Sequence, residues 1–432
     1  VLEKIWHMLW GTMSREEVKK FAFLTLIFLF ITATYGLLHP LKEALFVRIV
    51  GRLFLPYAKI ASFFFTIPLL LIYAKLVDSF KKHQLFYILF CSYIVTFLGI
   101  AYALTLPAVG LLNTVTNPNR LIGWVLYLVV ESFSSLVFSL FWSFVVSITN
   151  VASAERGYPF IIAGSQIGSL TGPEMAKRAT SIGIPQLIVI SSLFSAFIIV
   201  LVKLFITRFP AQEVAKPTTK QATGAFEGLR LLVTKPYLMG IFAISTLNEI
   251  IQNIIEYNVI IKADQTYKTT ENVVEFLGML IQSQTLIAFL VSFLGTSYLL
   301  RNFGITFSLL LYPLCSAVMV ICIFFTPSMW TLFGALILLK GLNYSLNTPC
   351  KEILYIQTST DIKFKTKSWI DGFGRRLTKT VGASFNALFA STKNIVAYSS
   401  LFSLGIIGVW ITLALFVGIT NDRLIREEKI IE

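Results

Sequence analysis

Apolar positions in this chain run in long unbroken blocks instead of alternating or recurring on one face of a short helix. A block of about 20 apolar residues is what one α-helix needs to cross the roughly 30 Å hydrocarbon core of a bilayer. A helix also satisfies its own backbone hydrogen bonds there. A transmembrane β-barrel would show alternating strands of about 10 residues instead. The blocks predict helices over 21–47, 54–77, 85–107, 122–150, 158–175 and 184–208, then over 236–262, 273–300, 304–326, 328–357, 367–391 and 395–419. The longest polar interval, FPAQEVAKPTTKQATGAFEG at 209–228, contains Pro210, Pro217 and Gly224 and reads as a cytoplasmic linker.

The expected fold class is therefore all-α, a polytopic membrane protein of about twelve transmembrane helices in two six-helix bundles, 1–208 and 229–432. That layout is major-facilitator-like. A faint internal repeat accompanies it. PLKEALFVRIV at 40–50 can be laid on NIIEYNVIIKA at 253–263, which sets Glu43 opposite Glu256. ERGYPFIIAGSQIGSLTG at 155–172 can be laid on TKSWIDGFGRRLTKTVG at 366–382, which matches Gly164 with Gly374 and Gly172 with Gly382.

Composition agrees with the blocks. The hydrophobic share is 56% and the charged share 13%, against about 45–50% and 25% for a soluble globular chain. The net charge of +14 first raises nucleic-acid binding. In a membrane protein, however, Lys and Arg gather in cytoplasmic loops. With both termini inside, the inner segments hold Arg15, Lys19, Lys20, Lys81, Lys82, Arg156, Arg208, Lys363, Lys365, Arg423 and Arg426, among others. The outer ones hold fewer, such as Arg48, Arg52, Arg120, Lys177 and Lys268. The lipid bilayer is thus the expected partner, with no nucleic acid, and a monomer suffices. Cys91, Cys315, Cys322 and Cys350 lie in apolar segments without metal spacing and read as small buried core residues. Trp6, Trp10, Trp330 and Trp369 lie near helix ends, as interfacial anchors do. No phosphate loop, nucleophile elbow or metal-ligand pattern is present, so no enzyme, metal or cofactor is expected. GSQIGSLTG at 164–172 reads as a close-packing stripe of small residues.

An ionisable group at the bilayer centre costs about 2.5–3.5 kcal/mol on insertion scales, and it is kept where it pairs or faces a wet cavity. The chain has many. Lys42 and Glu43 follow Pro40 in the first block, and Glu131 lies well inside the fourth. Glu249 and Glu256 share a face of the seventh. Lys340, Lys351 and Glu352 lie in the tenth, where simple snorkelling is an equal reading for both lysines. Asp371, Arg375 and Lys379 form one stripe in the eleventh, with Arg376 beside Lys379. Asp371 can neutralise Arg375, which leaves Arg376 and Lys379 positive. Such charge in a low-dielectric cavity suits a phosphate. For Glu131 and Lys379 the competing reading is a salt bridge that only braces helices.

Several segments resemble the ATP/ADP antiporter family of obligate intracellular bacteria and plastids: LHPLKEALFV, PYAKIASFFFTIP, KLVDSFKKHQLFYILF, ESFSSLVFSLFW, ITNVASAERGYP, NIIEYN, PCKEILYI and KSWIDGFGRRLTKTVGAS. The resemblance spans most of the chain. It implies four charged positions active in transport, falling on Lys42, Glu131, Glu256 and Lys379, and it implies ATP and ADP, or a related nucleotide, as substrate. It also implies an inner or plasma membrane location. The chain departs from the family pattern at His39, Val146, Val259, Ile260, Arg375 and Arg376. The expectation is an alternating-access exchanger in which Lys42 and Lys379, with Arg375 or Arg376, hold the phosphates. Proton-coupled import of other nucleotides or organic phosphates is the alternative.

Overall fold

The computed structural model describes residues 14–80, 82–149, 151–209, 227–294, 296–355, 358, 370, 374–389 and 394–427. Among them run α1 (Arg15–Ile49), α2 (Leu55–Ser79), α3 (Lys82–Thr105), α4 (Leu121–Ile148), α5 (Val151–Ala176), α6 (Ile184–Arg208), α7 (Pro236–Thr266), α8 (Thr270–Leu294), α9 (Thr296–Phe325), α10 (Met329–Leu354), α11 (Arg375–Phe389) and α12 (Ile395–Arg426). Ten of the helices in the described residues are long and apolar enough to cross a membrane. The other two have evident reasons to fall short. α5 is rich in Gly and Ser, and the described part of α11 has only 15 residues. Large apolar side chains such as Phe64, Leu71, Val95, Leu193, Phe325 and Leu388 stand exposed, as a lipid-facing surface requires.

The elements depart from the hydropathy reading where local chemistry outweighs it. α1 begins at Arg15, ahead of its apolar block, because Ser14 and Glu17 form a capping box. Pro40 lies inside α1. The eighth block does not run to 300. α8 ends at Leu294, and α9 starts at Thr296 and turns at Gly304, whose φ of 76° suits glycine. α10 is interrupted by a π turn at Asn343–Asn347. Most of the linker predicted at 209–228 lies outside the described residues, as do Trp6, Trp10 and Trp369. Trp330 is exposed at the start of α10. The cysteine expectation needs correction: Cys350 is buried, but Cys91 and Cys322 are exposed and Cys315 is half-buried, all four free. In a bilayer an outward-facing apolar thiol meets lipid and not water, so burial in protein is not required of it.

The chain divides into two compact units. One comprises Val1–Thr219 with Tyr267–Gln282, the other Lys220–Thr266 with Ser283–Glu432. In the first unit, α1 lies flat against α5. Gly157 faces the Phe21 ring, Gly164 faces Thr25, Gly168 faces Thr32 and the Leu29 carbonyl, and Gly172 faces Ala33, Gly36 and Leu37. Only hydrogen at these positions lets the two backbones approach so closely. Thr32 Oγ1 also donates to the Ser165 carbonyl at 3.1 Å. Against its other side α1 packs α4, with Phe28 stacked on Phe141 at 4.4 Å. α3 joins α4 through Phe90 and Phe133 and through a 3.0 Å hydrogen bond between Tyr93 and Ser132. At the end of α5, Lys177 donates to Glu174 at 2.9 Å and to Gln282 at 2.8 Å, beside a cleft of about 400 Å³.

In the second unit α7 takes the place that α1 has in the first. Gly374 faces Phe242 and Thr246, and Gly382 faces Asn253 and the Ile250 carbonyl, so α11 and the residue before it lie on α7. These are the two glycines that the repeat matches to Gly164 and Gly172. α9 packs on α12 through Tyr312 and Trp410, whose rings meet edge to face at 5.0 Å, and Thr306 Oγ1 donates to Asp422 at 2.7 Å.

Candidate functional site

The charges of the first unit converge. Lys42 sits two residues after Pro40 in α1, on the part of the helix that faces α4. From α4, Tyr127 and Glu131 point the same way because they are four apart on one helix. The Lys42 ammonium makes an ion pair with Glu131 Oε1. It lies 3.4 Å from Glu43 Oε1 and 4.6 Å from the centre of the Tyr127 ring. Tyr127 in turn donates to Glu43 Oε1 at 3.4 Å. The side chains of Lys42 and Glu43 are 1% and 4% exposed, while Glu131 is 22% exposed. Glu131 is therefore the member of the cluster that opens outward. Glu43 Oε2 is buried with no hydrogen-bond partner among the described residues.

Electrostatics decides what such a cluster can do. Two carboxylates around one ammonium leave a net negative charge if both are ionised. A phosphate is then not simply added. It must take the place of a carboxylate on Lys42, or arrive as a carboxyl gains a proton. Taking a charge from water costs several kcal/mol, and pairing only returns that cost. A buried pair of this kind is weak evidence for stability and better evidence for a site with a second partner.

In the second unit Glu256 of α7 forms an ion pair with Lys340 of α10. That decides between the two readings of Lys340, whose ammonium turns inward to a carboxylate and does not snorkel. Lys351, the other lysine given that reading, is buried, and Glu352 is exposed. Glu249, two turns before Glu256 in α7, is half-buried. Lys379 is exposed in the second turn of α11. Arg375 and Arg376 open that helix, with side chains outside the described residues, and Asp371 lies outside them altogether. The structure thus brings together Lys42, Glu43 and Glu131 in one unit and Glu256 with Lys340 in the other. Sequence reasoning passed over Tyr127 and left Lys340 undecided between snorkelling and an inward-facing role. Tyr127 carried a usable signal in its four-residue spacing from Glu131, and Lys340 in its depth within an apolar run. Among the described residues no group of His, Cys, Asp and Glu could hold a metal ion.

Comparison with known proteins meets the same picture. The chain is 25% identical to ADP,ATP carrier protein 3 of Rickettsia bellii over 95% of each chain. It is 26% identical to the chloroplastic ADP,ATP carrier protein 2 of Arabidopsis thaliana over 96% of this chain and 76% of that one. Among solved structures, the nucleoside transporter NupG superposes with a TM-score of 0.63 at 15% identity, covering 93% of this chain and 99% of its own. A D-xylose-proton symporter superposes with a TM-score of 0.60 at 14% identity, covering 92% and 96%. These similarities show a major-facilitator-like fold of about twelve helices. The family model described as TLC ATP/ADP transporter matches residues 1–419. With its apolar helices and the charges buried between them, the chain is a multi-pass membrane protein that belongs to the TLC ATP/ADP transporter family.

Proposed function

We propose that this protein exchanges ATP for ADP across its membrane by alternating access, without altering either nucleotide and without a cofactor. The observation that carries the proposal is the buried Lys42–Glu43–Glu131 cluster, an ammonium held by exchangeable carboxylates inside apolar helices. Family membership and relatives named ADP,ATP carrier proteins supply the substrate.

In this reading Lys42 binds phosphate oxygens, and Glu131, as its most exposed partner, is the group they displace. Glu256 and the α11 cations Arg375, Arg376 and Lys379 act on the same substrate, with Asp371, Glu43, Glu249 and Lys351 in supporting places. Residues 1–208 and 229–432 form the two halves, joined by a cytoplasmic linker at 209–228. Both termini are cytoplasmic, in the plasma or inner membrane of an intracellular bacterium or a related membrane, and one chain is sufficient. Occupied by nucleotide, the α11 cations are neutralised and the site closes from water at low cost. Empty, those cations keep their charge and the site returns poorly, so one nucleotide leaves as another enters.

Uptake of labelled ATP into liposomes holding the purified protein tests this directly. Uptake is expected only when ADP or ATP is present inside, and Lys42→Ala is expected to reduce it about 100-fold or more at equal insertion, as loss of a buried charged contact does. Rapid uptake into nucleotide-free liposomes under a pH gradient would instead establish proton-coupled import.

A further inference from the structure

The second unit holds an ion pair that the family motifs do not name. Lys340 of α10 donates to Glu256 of α7, and their side chains are 18% and 16% exposed. The pair occupies the same place in its half as Lys42–Glu131 does in the other. Each joins the first helix of a six-helix set to the fourth, across sequence separations of 89 and 84 residues. The signs are reversed. In the first half the cation is on the first helix and the anion on the fourth; in the second half the anion is on the first and the cation on the fourth.

The surroundings of Lys340 are built for polar contact. On α7, Asn248, Gln252 and Glu256 recur every four residues, and on α10 Lys340, Asn343 and Asn347 follow at three and four. The two strips meet, since Asn248 Nδ2 donates to Asn343 Oδ1 at 2.6 Å, and Asn347 Nδ2 donates to the same oxygen at 2.9 Å. Gln252 Nε2 donates to the Tyr312 hydroxyl at 2.8 Å, and that hydroxyl donates to the Leu339 carbonyl at 3.0 Å. Asn248 Oδ1 has no hydrogen-bond partner among the described residues, although Asn248 is 1% exposed. The π turn Asn343–Asn347 begins three residues after Lys340, and such turns concentrate at functional sites. Apolar residues would brace these helices as well or better, so a brace alone does not account for the array.

We infer that Lys340 is a ligand for nucleotide phosphate, released from Glu256 as a phosphate oxygen replaces the carboxylate on its ammonium. The inference rests on the nucleotide-exchange reading above and adds a cation to it. Lys340 and Lys42 then work alike, each parked on a glutamate until substrate arrives.

The test uses the full chain in liposomes, with Glu256→Gln, Lys340→Arg and the neutral double variant Lys340→Gln with Glu256→Gln. Because the double variant removes both charges of the pair together, it is expected to insert and unfold as the unaltered protein does. Its KM for ADP is nonetheless expected to rise about tenfold or more, with inhibition by AMP weakened less. Lys340→Arg is expected to retain part of the affinity. Glu256→Gln alone is expected to bind ADP several-fold more tightly, since the ammonium no longer leaves a carboxylate, while turnover falls. An unchanged KM in the double variant, or unchanged ADP affinity in Glu256→Gln, overturns the inference while leaving nucleotide exchange standing. Absence of nucleotide uptake by the unaltered protein overturns both.

Discussion

Lys42 is held by neighbours of different kinds, and their losses should rank by physics. Removing Glu131 leaves an almost fully buried ammonium with Glu43 as its carboxylate partner, and breaking a buried pair costs about 3–5 kcal/mol. Removing the Tyr127 ring forfeits a desolvated cation–π contact of about 2 kcal/mol. Removing only its hydroxyl loses a long hydrogen bond of about 1 kcal/mol. Thermal unfolding in detergent should therefore place Glu131→Ala below Tyr127→Leu, and Tyr127→Leu below Tyr127→Phe. At this scale the sequence was partly readable. Charge inside an apolar block is conspicuous, so Lys42, Glu131 and Glu256 stood out. An aromatic residue in such a block looks the same whether it faces lipid or an ammonium, and so Tyr127 did not. Lys340 was ambiguous because a long aliphatic stem permits either snorkelling or an inward turn, and only its partner decides.

Among elements, the seam between α1 and α5 is set by glycines that admit no side chain. A Cβ on Gly172 would collide with the Ala33 carbonyl and come within 2.8 Å of Leu37 N and 3.0 Å of the Gly36 backbone. Backbone cannot swing aside as a side chain does, so Gly172→Val is expected to destabilise by about 2 kcal/mol or more. Gly164→Ala, facing the Thr25 methyl, should cost less. Melting of the two variants in detergent measures the difference. This seam was legible as a stripe of small residues, and the repeat pointed to its counterpart at Gly374 and Gly382. The start of α1 was not, because a hydropathy window hides a capping box made of the polar residues Ser14 and Glu17. The break of α10 into a π turn left no trace in hydropathy either, since Asn343 and Asn347 sit in a run whose mean remains apolar.

For the molecule as a whole, the proposed exchange moves charge, because ATP carries one more negative charge than ADP. A potential of 100 mV acts on that difference with about 2.3 kcal/mol. In liposomes clamped at that potential, the final ATP-to-ADP ratio across the membrane should shift roughly fifty-fold. A ratio indifferent to potential would show that a compensating ion travels with the nucleotide. Finally, both inward-turned ammonium groups ride on rods with a flaw beside them. The backbone ladder of α1 lacks a donor at Pro40, two residues before Lys42, and that of α10 slips its register at Asn343–Asn347, three residues after Lys340. A rod flexes most readily where its lengthwise ties are missing. Each half of the protein thus mounts its paired cation next to a soft segment, where a few degrees of bend can shift an ammonium while the tightly seamed glycine faces stay put.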